Sequence, residues 1–180
     1  MSDGDGRNPV TDGLPRHLEA LWRYGLVLSR NRDTAEDLVQ ATCVRALERA
    51  RQFRPDTRLA PWLFAILRSI WFNELRARRV RQGAGFVDAE LALVFNGAAA
   101  IEANILAAQV LRELGHLSEA QRETVLLVYG EGFSYREAAD ILEIPIGTIM
   151  SRLADTRRRL SPLADDVRTI APRGKGTDDV

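Results

Sequence analysis

Apolar residues recur at helical spacing through almost all of residues 14–160, and no segment sustains the strict alternation of a half-buried strand. That periodicity points to an all-α fold. Leu14 to Ser29 carries Leu18, Leu21, Trp22, Leu26 and Leu28 on a helical pattern, which Asn31 to Asp33 then breaks. Asp33 suits the N-cap of a second helix through TAEDLVQATCVRALERA, with Glu36 three residues on to complete a capping box. Pro61 suits the first turn of a third helix, PWLFAILRSIWFNELRARRV. Periodicity lapses in RQGAGFVDAELALVFNGAAA, residues 81–100, where three glycines stand among scattered apolar residues and the segment reads as a linker. Four shorter helices follow, in IEANILAAQVLREL, SEAQRETVLLVYGEG, SYREAADILEI and IPIGTIMSRLADTRRRL. The middle two open on the capping boxes Ser118/Gln121 and Ser134/Glu137. The expected organisation is two small helical domains, residues 14–81 and 101–162, joined by a linker over 82–100, with mobile tails over 1–13 and 163–180.

Charge is segregated along this frame. The formal net charge is zero, whereas nucleic-acid binders usually carry a basic excess. From Arg45 to Arg81, however, ten arginines face only Glu48, Asp56 and Glu74, while from Asp88 to Glu143 three arginines face ten carboxylates. Such a division suggests separate surfaces that meet separate partners. Lys175 is the only lysine among twenty-five cationic residues. Arginine favours bidentate phosphate and base contacts, although a GC-rich genome would produce the same bias.

The last two helices fit a helix-turn-helix. Ala139 is small enough for the crossing, and Pro145 and Gly147 open the second helix. On a helical wheel centred on Ile149, residues Ile146, Leu153, Thr156 and Leu160 fall within about 60° and define a buried stripe. Glu143 occupies the turn where glycine is common, which is tolerable if the turn avoids left-handed backbone angles. The outer face would turn Thr148, Ser151, Arg152 and Asp155 to the major groove and send Arg157, Arg158 and Arg159 to flanking phosphates. The same face could equally be solvated, as in any amphipathic helix.

The third helix brings Trp62, Phe64, Trp71 and Phe72 close to Arg76, Arg78, Arg79 and Arg81. Rings that stack bases beside cations that follow the backbone would suit single-stranded nucleic acid. Aromatics bordering the stripe Leu63, Ile66, Leu67 and Ile70 are also ordinary core material, and at least two of the four rings are expected inside. Catalysis finds no support. His17 and His116 lack metal-ligand partners at helical spacing, and there is no glycine-rich phosphate loop, so neither an enzyme nor a cofactor or metal is expected. Cys43, the only cysteine, sits at an apolar helical position and reads as a small core residue. The apolar runs are far short of a membrane span and no signal sequence opens the chain, so a soluble cytoplasmic protein without membrane insertion is expected.

The blocks RDTAEDLVQATCVRALERA, FRPDTRLAPWLFAILRSIWFNELRARR and LSEAQRETVLLVYGEGFSYREAADILEIPIGTIMSRLADTRRRL, in that order and spacing, resemble the extracytoplasmic-function class of bacterial RNA polymerase sigma factors. The second block looks closest to the alphaproteobacterial subgroup linked to general stress response. The resemblance implies a sigma region 2-like domain that binds core polymerase and the minus-ten element, and a region 4-like domain that reads the minus-thirty-five element. It assigns Asp37, Gln40 and Arg45 to the polymerase beta-prime clamp, and Arg58, Trp62, Arg68, Asn73, Arg76 and Arg79 to minus-ten DNA. It implies further contact with the beta flap and an anti-sigma factor as partner. Ala41, Ser69 and Pro61 depart from residues common in the family, the first at the polymerase surface and the others beside the minus-ten surface. Residues alone leave open a stand-alone helix-turn-helix regulator, which would bind duplex DNA without polymerase.

Overall fold

The computed structural model describes residues 8–82 and 115–170, and every regular element among them is helical. Helix α1, Pro9–Gly13, runs through a 3₁₀ turn, Leu14–His17, into α2, Leu18–Ser29. Helix α3, Arg32–Glu48, a 3₁₀ turn at Ala50–Gln52, and α4, Leu59–Gln82, complete the N-terminal half. In the C-terminal half α5, Glu119–Val125, continues as a π-helical turn, Leu126–Gly130, followed by α6, Tyr135–Leu142, and α7, Ile146–Ile170.

Helices α2 and α3 form a hairpin whose turn is set by two backbone features. Arg30 ends α2 at φ 54°, and Asn31, in extended geometry, caps α3 by accepting the Thr34 N–H at 2.8 Å. The cap is therefore Asn31 and not Asp33, which already lies in the first helical turn. Gly25 lets the hairpin close, since a Cβ there would lie 3.3 Å from the Cα and carbonyl oxygen of Ala35. Helix α3 buries Ala35, Leu38, Thr42 and Ala46 on one stripe, and α4 buries Leu63, Phe64, Leu67 and Trp71 against it and α2. Two of the four α4 rings, Phe64 and Trp71, are thus in the core, while Trp62 and Phe72 are half-buried. Cys43 packs beside the core, where burial pushes its thiol pKa up.

Both expected capping boxes form. The Ser118 and Ser134 side chains accept the Gln121 and Glu137 N–H groups, and those side chains return to the serine N–H groups. Ala139 is buried at the crossing of α6 and α7, and Ile149, Leu153 and Thr156 form the buried stripe of α7. Ile146 departs from that stripe at 45% exposed, because it is the first residue of α7 and projects beyond the crossing. Glu143 does adopt a left-handed conformation, φ 53° and ψ 44°. The turn therefore keeps the geometry that favours glycine while carrying a glutamate.

Order extends past both expected tail boundaries. Asn8 caps α1, Pro9 takes its first turn, and Val10 is fully buried, so the mobile N-terminal tail expected to reach residue 13 is already helical from Pro9. Helix α7 passes through Pro162 to Ile170, so the expected tail at 163–180 begins as helix. A proline removes one backbone donor, and no strong breaker follows it before Ile170. The expected linker, apart from Gln82 at the end of α4, and residues 101–114 of the second expected domain lie outside the described residues.

The two halves pack together. Helix α4 lies against α6 and α2 against α5, and one apolar cluster runs through both halves. Phe64 is its centre, stacked on Tyr24 at 5.0 Å between ring centroids and meeting the edge of Phe133 at 4.9 Å. The basic and acidic segments, expected to offer separate surfaces to separate partners, therefore also meet each other at Arg58–Glu137 and Arg68–Glu123.

Candidate nucleic-acid and polymerase interfaces

The spacing of α4 that buries Leu63, Leu67 and Trp71 turns Ser69, Asn73 and Arg76 outward along one line, with Arg68 and Phe72 beside them. The Arg68 guanidinium stacks on the Phe72 ring at 4.5 Å, and Arg76 points Nη1 toward Asn73 Oδ1 at 3.5 Å. These residues, with Ile141 of α6 and Glu143 of the α6–α7 turn, line an open cleft of about 410 Å³. A ring, a guanidinium plane, an amide edge and an exposed cation together offer stacking, base-edge hydrogen bonds and phosphate contact. Arg79 is exposed one turn beyond Arg76. Trp62, tilted against Phe53 at 5.3 Å, and Arg58 stand at the opposite end of the helix.

Two of these arginines already hold carboxylates of the C-terminal half. Arg68 Nε donates to Glu123 Oε1 at 3.2 Å, and its Nη1 lies 4.0 Å from Glu143. Arg58 Nη1 donates to Glu137 at 2.7 Å, with its guanidinium 5.7 Å from the Phe133 ring centroid. Glu123 is buried and also accepts from the Tyr24 hydroxyl at 2.6 Å. Burial, then the Glu123 charge, drives the Tyr24 pKa well above the ordinary tyrosine value, so the hydroxyl remains a donor at neutral pH.

On α7, Ser151, Asp155, Arg157, Arg158 and Arg159 are exposed and Thr148 is half-buried. Ser151 donates to the Thr148 carbonyl at 3.0 Å, and Asp155 pairs with Arg158. Arg152 is turned aside toward α5, with Nη1 3.5 Å from the Ala120 carbonyl and 3.4 Å from Thr124 Oγ1. Arg159 leans toward the His116 carbonyl at 3.5 Å. These long contacts are weak, so both side chains can be recruited by a stronger anionic partner. On α3, Asp37 and Gln40 are exposed and Arg45 is half-buried.

Two family models match the chain, Sigma-70 region 2 over residues 15–81 and Sigma-70 region 4 over residues 107–160. The chain is 36% identical over 159 residues to the ECF RNA polymerase sigma factor EcfG of Rhodopseudomonas palustris, covering 86% of this chain and 87% of that one. The chain belongs to the ECF RNA polymerase sigma factors. This sigma factor is also 35% identical over 161 residues to CnrH of Cupriavidus metallidurans, with 84% of each chain covered. Among solved structures it is similar to the sigma factor RpoE in complex with the anti-sigma factor NepR from Bartonella quintana, with a TM-score of 0.69, 31% identity, and 88% and 98% of the two chains covered. A structure of CnrH in complex with the cytosolic domain of CnrY aligns with a TM-score of 0.57 at 27% identity, covering 91% of each chain. The chain is an alternative RNA polymerase sigma factor that acts in promoter recognition.

Three exposed apolar side chains on this sigma factor escaped sequence reasoning. Val44 and Leu47, 57% and 47% exposed, continue the α3 face that begins at Asp37 and Gln40. Met150 is 53% exposed on α7 beside Ser151. The helix wheel carried the signal, since 37, 40, 44 and 47 fall on one side of α3 opposite the buried stripe. Among the described residues no cluster of histidine, cysteine or carboxylate side chains could hold a metal, and no helix is long and apolar enough to cross a membrane.

Proposed function

We propose that α4 takes the unpaired minus-ten element, α7 reads the minus-thirty-five element, and the exposed face of α3 docks on the polymerase clamp. The observation that carries this reading is the convergence of Arg68, Phe72, Asn73 and Arg76 on one open cleft. A base that leaves the duplex can stack there while arginines take the backbone, so binding energy offsets the cost of opening. Arg58 and Trp62 flank this site at the helix start, and Arg79 extends the cationic track. Thr148, Ser151, Arg152 and Asp155 supply base-edge contacts, and Arg157, Arg158 and Arg159 supply phosphate contacts. Asp37 and Gln40, joined by Val44 and Leu47, form the clamp face, with Arg45 half-buried about 100° round the helix from Val44 as a flanking contact, and the C-terminal half meets the beta flap. The protein works by binding, without chemistry of its own, in the cytoplasm with polymerase. The RpoE complex with an anti-sigma factor supports such a factor as a further partner, and the resemblance of FRPDTRLAPWLFAILRSIWFNELRARR to the general-stress-response subgroup supports a place in the stress response.

Run-off transcription with core polymerase tests the assignment. Arg152→Ala is expected to lower specific transcription about tenfold, the scale of one lost charge-assisted base contact, with core affinity unchanged. Asp37→Arg is expected to weaken co-purification with core polymerase while leaving minus-thirty-five duplex binding intact. Equal loss of polymerase binding in Arg152→Ala, or normal co-purification of Asp37→Arg, refutes the respective role.

A further inference from the structure

We propose that this sigma factor closes its own minus-ten surface, with Glu123 and Glu137 of the C-terminal half occupying Arg68 and Arg58 in place of DNA phosphates. Glu123 is the centre of this clamp. Its side chain is 6% exposed, and both its donors, the Tyr24 hydroxyl and Arg68 Nε, come from the N-terminal half. Among the described residues, no side-chain hydrogen bond to it comes from its own half. A buried carboxylate held wholly by another domain contributes to closing that interface.

Three further contacts register the halves. Arg23 grips Glu131 with two bonds, Nε to Oε1 at 2.9 Å and Nη2 to Oε2 at 3.1 Å. Arg58 holds Glu137, and Phe133 seats its ring edge on Phe64. The opposite charges of the segments 45–81 and 88–143 favour the same pairing.

Closure and DNA binding compete because one guanidinium fork cannot serve a glutamate and a phosphate fully at once. Ile141 of α6 and Glu143 of the α6–α7 turn also line the cleft that Asn73 and Arg76 share. Opening returns Glu123 to water, and rehydration of a buried ion offsets much of the lost pairing, while exposure of the Phe64–Phe133 contact opposes it.

This inference rests on the minus-ten reading of α4, and the test separates the two. The full chain is compared with Glu123→Gln/Glu137→Gln and with Tyr24→Phe, which keeps the ring stacked on Phe64. Solution X-ray scattering gives the radius of gyration. Fluorescence anisotropy gives the affinity for a labelled random-sequence single strand of about twelve nucleotides. The double variant is expected to expand and to bind about tenfold tighter, and Tyr24→Phe about threefold, as charge-assisted bonds of closure are lost. Adding Arg76→Ala to the double variant is expected to cancel the gain in binding without changing its size. Unchanged size and affinity in both variants, with helical circular dichroism retained, overturns the clamp. Expansion without tighter binding, but with loss on Arg76→Ala, overturns the competition and keeps the α4 reading. Expansion with binding insensitive to Arg76→Ala overturns the α4 reading and the competition built on it. If the double variant loses its helical signal, Tyr24→Phe decides, and an unchanged size and affinity there overturns the clamp.

Discussion

Glu143 joins the two helices of the region 4 motif at positive φ, where a β-carbon crowds the following carbonyl oxygen. The turn is nevertheless well bonded, since the Ile144 N–H reaches the Ala139 carbonyl at 3.1 Å and the Glu143 N–H the Asp140 carbonyl at 3.3 Å. Hydrogen bonds and the packing of Ala139 over-determine a conformation that glutamate itself disfavours. Its carboxylate returns little, being 86% exposed and 4.0 Å from Arg68. Glu143→Gly should therefore stabilise the fold. Relief of about 1–2 kcal/mol of left-handed strain, less the greater chain entropy of glycine, leaves roughly 0.5–1 kcal/mol. Urea unfolding followed by circular dichroism should show a higher midpoint at unchanged slope, and a lower midpoint would refute the strain argument.

At the scale of elements, legibility followed the range of the interaction. Ser118/Gln121 and Ser134/Glu137 were readable because a capping box is written within four residues. Asn31 and Asp33 both suit a cap, and only the extended backbone of Asn31 decides between them. Helix α1 carried its own signal, an asparagine followed by a proline, but five residues are too few for periodicity to register. Glu137 joins the local and distant levels, because it closes the α6 capping box and also receives Arg58. Burial pushes its pKa upward, but the Ser134 N–H and hydroxyl together with the Arg58 charge outweigh this and leave it below the ordinary value. A carboxylate depressed in the fold stabilises above its unfolded pKa, and that contribution disappears as pH falls through the folded value. Stability measured from pH 5 downward should therefore decline with a component that Glu137→Gln removes. Parallel declines in the two proteins would show that Glu137 is not responsible.

Across the whole molecule, the charge segregation was legible and its consequence was not. Tyr24 and Glu123 lie 99 residues apart, and helical periodicity treats Glu123 as any carboxylate of a short amphipathic helix. Only the packed halves reveal that the acidic segment supplies partners to the basic one. That pairing should leave a signature in the salt dependence of nucleic-acid binding. A single strand releases counterions from each phosphate it pairs with an arginine, steepening the decline of log K with log salt by about 0.7 per contact. In a chain that pairs Arg58 and Arg68 with its own carboxylates, salt also weakens closure, most at the exposed Arg58–Glu137 contact. The two effects oppose each other, because added salt weakens DNA binding while it frees the site. The wild-type chain should thus show a shallower slope than Glu123→Gln/Glu137→Gln, by up to about 1.4 if both arginines are fully released. Anisotropy titrations between about 50 and 400 mM salt, a range over which the Debye length falls well below the span of the interface, measure both slopes. Equal slopes would mean that the carboxylates of the C-terminal half do not compete with phosphate, however closely the halves pack.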